Sequence, residues 1–254
     1  GRRARRQLRF DAELGRLRGA VTPLTSTGDL IYFFDVSPDG RSALFALRRG
    51  PATTIWRADA TRALVQLASD AQYEHSNPLW SPDGKTIAFS RRPSRELQSA
   101  FSLWTMAADG ANPQRRVERM GLNGLFTWMP DGRGIVHVGP DRQLYLLDLA
   151  SGTERRLTNE PGVMPVVAIS PDGKWGIYQC VVGATIDLHA VPATGGDVQI
   201  VVASRTQDYH PSVSPSGRWV YYLPDHENLY RVPGPAQNWR PATPERVTDF
   251  TLTP

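Results

Sequence analysis

The sequence predicts an all-β fold built from repeated four-stranded units, and three observations support this prediction. A ten-residue pattern, clearest at Trp80–Phe89, occurs five times along the 254 residues. The steps between its copies are 44, 48, 41 and 44 residues, a period expected of propeller blades that bury their faces only against neighbours. No stretch has the pattern of a long amphipathic helix. These features together predict a β-propeller of four-stranded antiparallel blades.

The repeated pattern is a tight turn followed by a strand. Its core is Ser-Pro-Asp-Gly and a basic residue, in which proline presets the φ of a type I turn and glycine closes the turn. Apolar residues then return at alternate positions, as in Ile87 and Phe89, which indicates a strand with one buried face. Each copy therefore predicts the inner hairpin of a blade. The copies begin at Ser37, Ser81, Met129, Ser170 and Ser214.

A second signature lies downstream of each turn and predicts the outer half of the blade. An aliphatic residue followed by an aromatic residue or histidine indicates the third strand, and a turn rich in Asp, Gly or Pro leads to a short fourth strand. The third strands are marked by Ile55-Trp56, Leu103-Trp104, Leu144-Tyr145, Leu188-His189 and Leu229-Tyr230. The fourth strands are predicted at 64–67, 115–117, 155–158, 198–202 and 246–248.

The two ends of the chain predict a sixth, incomplete blade. Gln7–Asp11 resembles a third strand, Gly15-Arg16 its turn and Val21–Thr25 a fourth strand, with no inner hairpin before them. We therefore expect one six-bladed β-propeller whose sixth blade lacks inner strands in this chain. The predicted organisation is a basic end at 1–5, the outer strands of blade six at 6–25, blades one to five at about 26–248, and the start of blade six at 249–254.

Charge and cysteine content exclude several classes of protein. The formal net charge is +4, but seven arginines lie within residues 1–18 and the remainder of the chain is close to neutral. A nucleic-acid-binding face across the whole domain is therefore not expected. The basic start is either a solvated end or a contact for an acidic surface. Cys180 is the single cysteine, so no intramolecular disulfide forms.

Motifs for catalysis, metals or cofactors are missing from the sequence. A serine hydrolase of the G-x-S-x-G class needs a motif that occurs nowhere in the chain. His137 and His189 occupy repeat positions that hold aromatic residues in other blades, which predicts packing roles. No cysteine or carboxylate accompanies the other histidines at a ligand spacing, so we expect no metal site and no cofactor. The histidines are His75, His137, His189, His210 and His226.

Two loops and two tryptophans are the candidate binding residues. The loops precede the inner strands of blades two and five, where polar and aromatic groups could form a small-molecule or peptide site. The alternative is that these residues cap strands and bond to neighbouring blades. The two tryptophans follow the basic residue of the turn and are predicted to face away from the core. The candidates are Tyr73, Glu74, His75, Asp208, Tyr209, His210, Trp175 and Trp219.

The five copies resemble the TolB-type (WD40-like) propeller repeats of bacterial envelope proteins, and the resemblance covers residues 6–254. Similar repeats occur in extracytoplasmic domains of bacterial protein kinases and winged-helix regulators, and in propellers that precede peptidase domains. Met129 and Ser216 depart from the pattern, and both occupy turn positions. The copies read WSPDGKTIAF, VSPDGRSALF, WMPDGRGIVHV, ISPDGKWGIY and VSPSGRWVYYL.

The resemblance implies a non-enzymatic interaction scaffold or accessory subunit in a bacterial envelope-associated assembly. We expect protein partners, with a membrane protein complex among them, and no nucleic acid. The expected location is the periplasmic or extracytoplasmic side of the inner membrane, with the cytoplasm as an alternative. Two other functions stay open: a ligand-sensing domain of a kinase or transcriptional regulator, and the propeller of a serine peptidase whose hydrolase domain lies elsewhere. The missing hairpin of blade six is truncated, disordered or supplied in trans.

Overall fold

The computed structural model describes residues 6–11, 16–23, 30–49, 52–59, 61, 63–96, 98–121, 123–205, 207–224, 228–237, 239 and 243–248. Within these ranges the regular structure is β, apart from one 3-10 turn at Pro235–Gln237. No helix in the described part of the chain is long and apolar enough to cross a membrane. The strands are β1 Arg6–Asp11, β2 Arg16–Pro23, β3 Leu30–Val36, β4 Ala43–Arg49, β5 Ala52–Ala58, β6 Leu64–Ala68, β7 Tyr73–Trp80, β8 Thr86–Pro93, β9 Ser102–Ala107, β10 Gln114–Val117, β11 Phe126–Trp128, β12 Gly134–Val138, β13 Leu144–Asp148, β14 Glu154–Arg156, β15 Val163–Ile169, β16 Trp175–Val182, β17 Thr185–Pro192, β18 Gln199–Val202, β19 Asp208–Val213, β20 Trp219–Pro224, β21 Tyr230–Pro233 and β22 Glu245–Arg246.

Five four-stranded antiparallel blades follow one another in chain order, which confirms the predicted all-β propeller class. Blade one is β3 to β6, blade two β7 to β10, blade three β11 to β14, blade four β15 to β18 and blade five β19 to β22. Blades one and two share a sheet because Thr53 of β5 pairs in parallel with Glu74 of β7. The strands β1 and β2 form a separate antiparallel pair.

The chain forms two compact units, residues 1–99 with 103–115 and residues 100–102 with 116–254. Each unit has its own apolar core between the faces of its blades. The first unit buries the cluster Leu44, Ile55, Trp80, Ile87, Phe89 and Met106. The second unit buries one cluster that includes Val136, Leu144 and Tyr178, and another that includes Ile177, Leu188 and Val220.

The Ser-Pro-Asp-Gly turn is closed by both side-chain and backbone hydrogen bonds. Ser81 Oγ donates to Asp83 Oδ1 at 2.6 Å and accepts from the Thr86 amide at 3.0 Å. The Lys85 amide donates to the same Asp83 oxygen at 3.0 Å. The hydrogen bond from Ser81, followed by the bond from Lys85, holds the pKa of Asp83 below its ordinary value. The five turn glycines, Gly40, Gly84, Gly132, Gly173 and Gly217, have φ of 69, 69, 71, 70 and 69°, a conformation that favours glycine.

The two departures from the pattern weaken their turns in different ways. Met129 has no hydroxyl, and its turn retains the bond from the Arg133 amide to Asp131 Oδ1 at 2.9 Å. In blade five the hydroxyls of Ser214 and Ser216 are 3.3 Å apart, and the Arg218 amide lies 3.4 Å from Ser216 Oγ. Both distances are longer than a well-formed hydrogen bond to a carboxylate.

The strands β1 and β2 lie within the segment 6–25 that was predicted to hold the outer strands of blade six, and their place in a sixth blade stays a prediction. The second strand begins at Arg16 and not at Val21, since Arg16 pairs with Asp11 and is not part of the turn. Cross-strand pairing therefore extends the strand beyond the segment that its apolar residues mark. The predicted segments 1–5 and 249–254 lie outside the described residues.

The hydrogen-bonded turn predicts unequal effects of serine removal in blades two and five. Ser81→Ala should lower the free energy of unfolding by about 1–2 kcal/mol, because it removes two short hydrogen bonds. Ser216→Ala serves as the matched control and should cost less than about 0.5 kcal/mol, since its contacts are long. Urea unfolding measures both, and equal losses would contradict the importance of the Ser81 hydrogen bonds.

Candidate functional site

The loops that lead into the inner strands are bonded to the preceding blade. Thr53 pairs with Glu74, and the carbonyl oxygen of Thr53 lies 3.1 Å from His75 Nδ1. In the second unit, Gln207 forms a parallel bridge with Ile186 of β17. The two loops chosen from the sequence therefore occupy equivalent positions in their blades, one in each unit.

Tyr73, Glu74 and His75 were predicted to lie in a loop before blade two, but they form the start of the inner strand β7, because each pairs with a residue of β8. Glu74 Oε2 accepts from Arg92 Nε at 2.7 Å, and the guanidinium carbon of Arg91 lies 3.6 Å from the centre of the Tyr73 ring. His75 is buried, and burial is the largest cause that lowers its pKa. The hydrogen bond to the Thr53 carbonyl acts in the opposite direction. These contacts are expected of residues that bond to neighbouring strands. A binding role for Tyr73, Glu74 and His75 stays a prediction.

The candidates predicted in a loop before blade five also lie in an inner strand, at the start of β19, where Asp208 and Tyr209 pair with β20. One of the three is exposed to solvent. Asp208 is fully buried and accepts a hydrogen bond from Ser204 Oγ at 2.9 Å. Tyr209 is half-buried, and its ring centre lies 6.0 Å from that of His210. His210 is exposed and has a φ of 54°, next to the β-bulge between Tyr209 and Ser212. Because of the bulge, the His210 side chain does not follow the regular alternation of side chains between the two faces of the strand.

Trp175 and Trp219 are half-buried, and Trp175 packs against the apolar cluster that includes Ile177 and Val220. The Trp175 ring meets Trp239 edge-on, with centres 5.2 Å apart. The Arg231 guanidinium lies 4.1 Å from the centre of the Trp219 ring and is bonded to Glu245 at 2.8 Å. Both tryptophans thus have intramolecular partners, and their use as interface residues stays a prediction.

A polar cluster in blade four was not identified from the sequence. It consists of Glu160, Tyr178, Cys180 and His189, and is called the blade-four cluster below. Tyr178 donates its phenolic hydrogen to Glu160, and His189 Nδ1 lies 3.0 and 3.3 Å from the two Glu160 oxygens. A carboxylate oxygen of Glu160, the sulfur of Cys180 and a ring nitrogen of His189 all lie within 4.8 Å of one another.

Strand register and one loop bring these residues together. Tyr178 and Cys180 alternate along β16 and share a face, and His189 of β17 lies directly opposite Tyr178. Glu160 lies in the loop before β15. Gln143 holds this loop, because its Nε2 donates to the Glu160 carbonyl at 2.8 Å and its Oε1 accepts from the Glu160 amide at 3.2 Å.

Burial raises the pKa of two groups of the cluster, the Cys180 thiol and the Tyr178 hydroxyl. Burial, followed by the charge of Glu160, raises the pKa of the Cys180 thiol to about 12. The neutral thiol donates to the Pro161 carbonyl at 3.3 Å, so it is not a nucleophile in this state. Burial is also the largest cause that raises the pKa of Tyr178. His189 Nε2 is buried and has no hydrogen-bond partner in the described structure.

Blade three contains a related pair without a thiol. His137 of β12 lies opposite Tyr145 of β13, and His137 Nε2 is 2.6 Å from Glu154 Oε1. Histidine and tyrosine have exchanged strands relative to blade four, and Gly139 stands where the repeat of blade four has Cys180. The predicted packing roles of His137 and His189 are therefore incomplete, since each buried ring also bonds a glutamate.

A cavity of about 460 Å³ lies beside the blade-four cluster, between loops of blades three and four. Its lining includes Asn123, Arg142, Gly162 and Val181. Gly162 has a φ of 85°, and a Cβ atom there would collide with the carbonyl oxygen of Val181. The loop that carries Glu160 therefore passes close to β16 because it has a glycine at this point.

Three of the four cluster residues have a recognisable position in the sequence. Cys180 follows Tyr178 at strand spacing, and His189 stands where four other blades have Trp56, Trp104, Tyr145 and Tyr230. The fourth residue is separated from these three, since Glu160 is 18 positions before Tyr178 and 29 before His189. A short sequence motif cannot reveal a contact between residues that are 18 or 29 positions apart.

The five blades and their repeated turns define the class: the chain is a β-propeller, and its repeats resemble those of the TolB type. No protein-family model matches the chain. It is 32% identical over 152 residues to YuxL, an uncharacterized peptidase of Bacillus subtilis, a match that covers 59% of this chain and 22% of YuxL. It is 32% identical over 112 residues to the Tol-Pal system protein TolB of Coxiella burnetii, covering 42% of this chain and 25% of that protein. The match to the uncharacterized protein Atu1656 of Agrobacterium fabrum, 26% identical over 156 residues, covers 60% of this chain and 52% of that protein. The chain thus spans between about a fifth and a half of these relatives.

Solved structures show the same fold at low sequence identity. A TolB-type protein of Agrobacterium tumefaciens has a TM-score of 0.67 and 20% identity, with 94% of this chain and 88% of that chain covered. Oligogalacturonate lyase in complex with manganese has a TM-score of 0.71 and 17% identity, with coverage of 93% and 73%. A prolyl endopeptidase has a TM-score of 0.63 and 15% identity, with coverage of 88% and 37%. These likenesses establish the fold alone.

The buried His75 makes part of the stability depend on pH. Its pKa is lower in the folded protein than the ordinary 6.5, so the unfolded chain binds more protons and stability falls as the pH drops below about 6.5. Between about pH 7.5 and pH 5, wild type should lose more unfolding free energy than His75→Gln. Urea unfolding at both values tests this, and parallel losses in the two proteins would contradict it.

The hydrogen bond from Tyr178 should stabilise blade four. Tyr178→Phe removes the phenolic donor to the Glu160 carboxylate and should cost about 1–3 kcal/mol of unfolding free energy. The matched control is Tyr145→Phe, whose hydroxyl bonds Asp141 at an exposed site and should cost less than about 1 kcal/mol. Chemical denaturation gives both values. A Tyr178→Phe loss no larger than that of the control would show that the Glu160 bond contributes little.

Proposed function

We propose that this β-propeller is a non-enzymatic interaction scaffold or accessory subunit in a bacterial envelope-associated assembly. Protein partners are its ligands, and it acts on the extracytoplasmic side of the inner membrane. The observation that carries the proposal is an exposed apolar row on β3, the inner strand of blade one. We expect this row to lie next to the inner strands of blade six, which are the strands predicted to be missing from this chain.

The exposed row consists of large apolar side chains. Leu30 is 57% exposed, Tyr32 46%, Phe34 55% and Val36 51%. Contiguous exposed apolar patches are uncommon on monomeric soluble proteins and mark interaction sites. This exposure supports β3 as part of a docking surface for a protein partner.

The register of β3 gives the direction of Phe34 and Val36. Phe34 lies opposite Phe45 of β4, so their side chains share a face. The register shift between Ile31 and Phe34 places Leu30, which pairs with Arg48, on the opposite face. Asp35 points to the other face, where it accepts the Trp80 amide of blade two at 2.7 Å. Phe34 and Val36 therefore face away from blade two. Phe45 on the same face is only 3% exposed, which confines the exposure to the inner strand.

The strand β1 supplies a second feature of the same surface. Among the strands that the structure describes, β1 pairs only with β2, and its other edge corresponds to the missing inner hairpin of blade six. Unpaired strand edges are usually covered in native proteins. An extended hairpin with an apolar face could pair with β1 and pack on β3, which is β-augmentation by a protein partner.

The relatives support the proposed class of function. The Coxiella relative is named as a protein of the Tol-Pal system, which supports a protein partner and an envelope location. The proposal assigns no cofactor and no nucleic acid to the protein.

A second candidate function is the propeller domain of a serine peptidase. The match to YuxL and the prolyl endopeptidase structure favour it, although the chain covers only 22% and 37% of those proteins. An immunoblot of source cells with antibody against this chain separates the two functions. A band of this chain's size supports the scaffold, whereas a much larger band together with peptide hydrolysis by the purified native protein supports the peptidase.

A charged residue in the exposed row should abolish partner capture. Phe34→Asp, compared with wild type as bait in solubilised envelope extract, should reduce the recovered partner at least about tenfold, because it buries an unpaired charge at the centre of the interface. Ile200→Asp is the matched control, since Ile200 is 67% exposed on β18 of another blade and should leave capture unchanged.

Circular dichroism and thermal melting establish that both variants fold. A folded Phe34→Asp protein that recovers the same partner in the same amount as wild type would reject the β3 surface as the docking site.

A further inference from the structure

We propose that the blade-four cluster binds one divalent transition-metal ion of the zinc class. Its protein ligands are a carboxylate oxygen of Glu160, the sulfur of Cys180 and an imidazole nitrogen of His189. This site is separate from the docking surface on β3 and does not depend on the proposed scaffold function.

The distances between the donor atoms fit this proposal. The three atoms lie within 4.8 Å of one another. Ligands of a tetrahedral zinc ion, at about 2.0–2.3 Å from the metal, are about 3.5 Å apart. Binding therefore requires an inward movement of about 1 Å, which a glutamate side chain in a loop can provide.

The chemistry of the donors selects the class of metal. Thiolate and imidazole ligands favour zinc and related transition metals, whereas calcium and magnesium prefer oxygen ligands. One carboxylate, one thiolate and one neutral imidazole balance the charge of a divalent cation. A neutral complex lowers the cost of keeping these groups buried.

The ligands are held by the fold before any metal arrives. Cys180 and His189 lie on the adjacent strands β16 and β17, which pair over their whole lengths. Gln143 fixes the backbone of Glu160 with two hydrogen bonds. Tyr178 bonds the Glu160 carboxylate and would orient it toward the metal, as outer-shell partners do in known sites.

The His189 ring presents one nitrogen to the cluster. The ring is 7% exposed, and its Nδ1 lies 3.0 and 3.3 Å from the two Glu160 oxygens. A metal ion held between Glu160 and Cys180 would therefore be bound by Nδ1, with the ring hydrogen on Nε2.

Glu160 is the proposed ligand that is most exposed to solvent. Its side chain is 23% exposed and that of His189 7%, whereas Cys180 is 1% exposed. An incoming ion would therefore meet Glu160 first.

Metal titration of the chelator-treated full chain tests the proposal. The protein, prepared without a hexahistidine tag, is incubated with zinc chloride, dialysed and analysed by inductively coupled plasma mass spectrometry. We expect about one zinc per chain and a melting temperature that rises with zinc concentration. With cobalt chloride in place of zinc, a thiolate-to-cobalt charge-transfer band should appear, because Cys180 is the only cysteine.

Three variants separate the site from nonspecific binding. Cys180→Ala should abolish the charge-transfer band and weaken zinc binding at least about tenfold, and His189→Gln should weaken zinc binding by a similar factor. His137→Gln is the matched control, since the His137–Glu154 pair of blade three has no thiol, and it should bind zinc like wild type. Circular dichroism of each metal-free variant shows whether it folds.

Two results would overturn the proposal. One is wild-type protein with less than about 0.1 zinc per chain after incubation with micromolar zinc. The other is bound metal without a charge-transfer band, or with unchanged affinity in folded Cys180→Ala. Either result would leave the cluster as a hydrogen-bond network that holds the loop against blade four.

Discussion

The turn between the first two strands of each blade is the constraint on which the rest of the structure depends. All five turn glycines adopt nearly the same φ, 69 to 71°, and the preceding Ser-Pro-Asp fixes where the chain reverses. A shift of one residue in this register would move every apolar side chain to the opposite face. Because the turn holds the register, Phe89 and Tyr178 reach the cores of their blades.

The polar residues that differ from blade to blade lie in the strands and loops outside the repeated turn. Blade three pairs His137 with Tyr145, and blade four pairs Tyr178 with His189, so one cross-strand pair occurs in two orders. In both blades the histidine bonds a glutamate from outside the inner hairpin. The addition of Cys180 next to this pair turns a buried hydrogen-bond network into a candidate metal site.

The sequence predicted the blades well, because their determinants are local and repeated. The turn, the alternation after Gly84 and the aliphatic-aromatic pairs each identify an element within about ten residues. The start of β2 at Arg16 was missed because cross-strand pairing, and not apolar pattern, sets it. The blade-four cluster was missed because Glu160 meets His189 across 29 positions, and this contact depends on the loop that Gln143 holds.

The proposed docking surface connects the fold to the proposed function. It consists of the exposed apolar side chains of β3 and of the edge of β1 that does not pair with β2. Hydrogen–deuterium exchange of the isolated chain and of the same chain within its native assembly tests this account most directly. The account predicts that amides of β1 and the segment around β3 exchange more slowly in the assembly. Unchanged exchange in both segments, with protection confined to other blades, would contradict it.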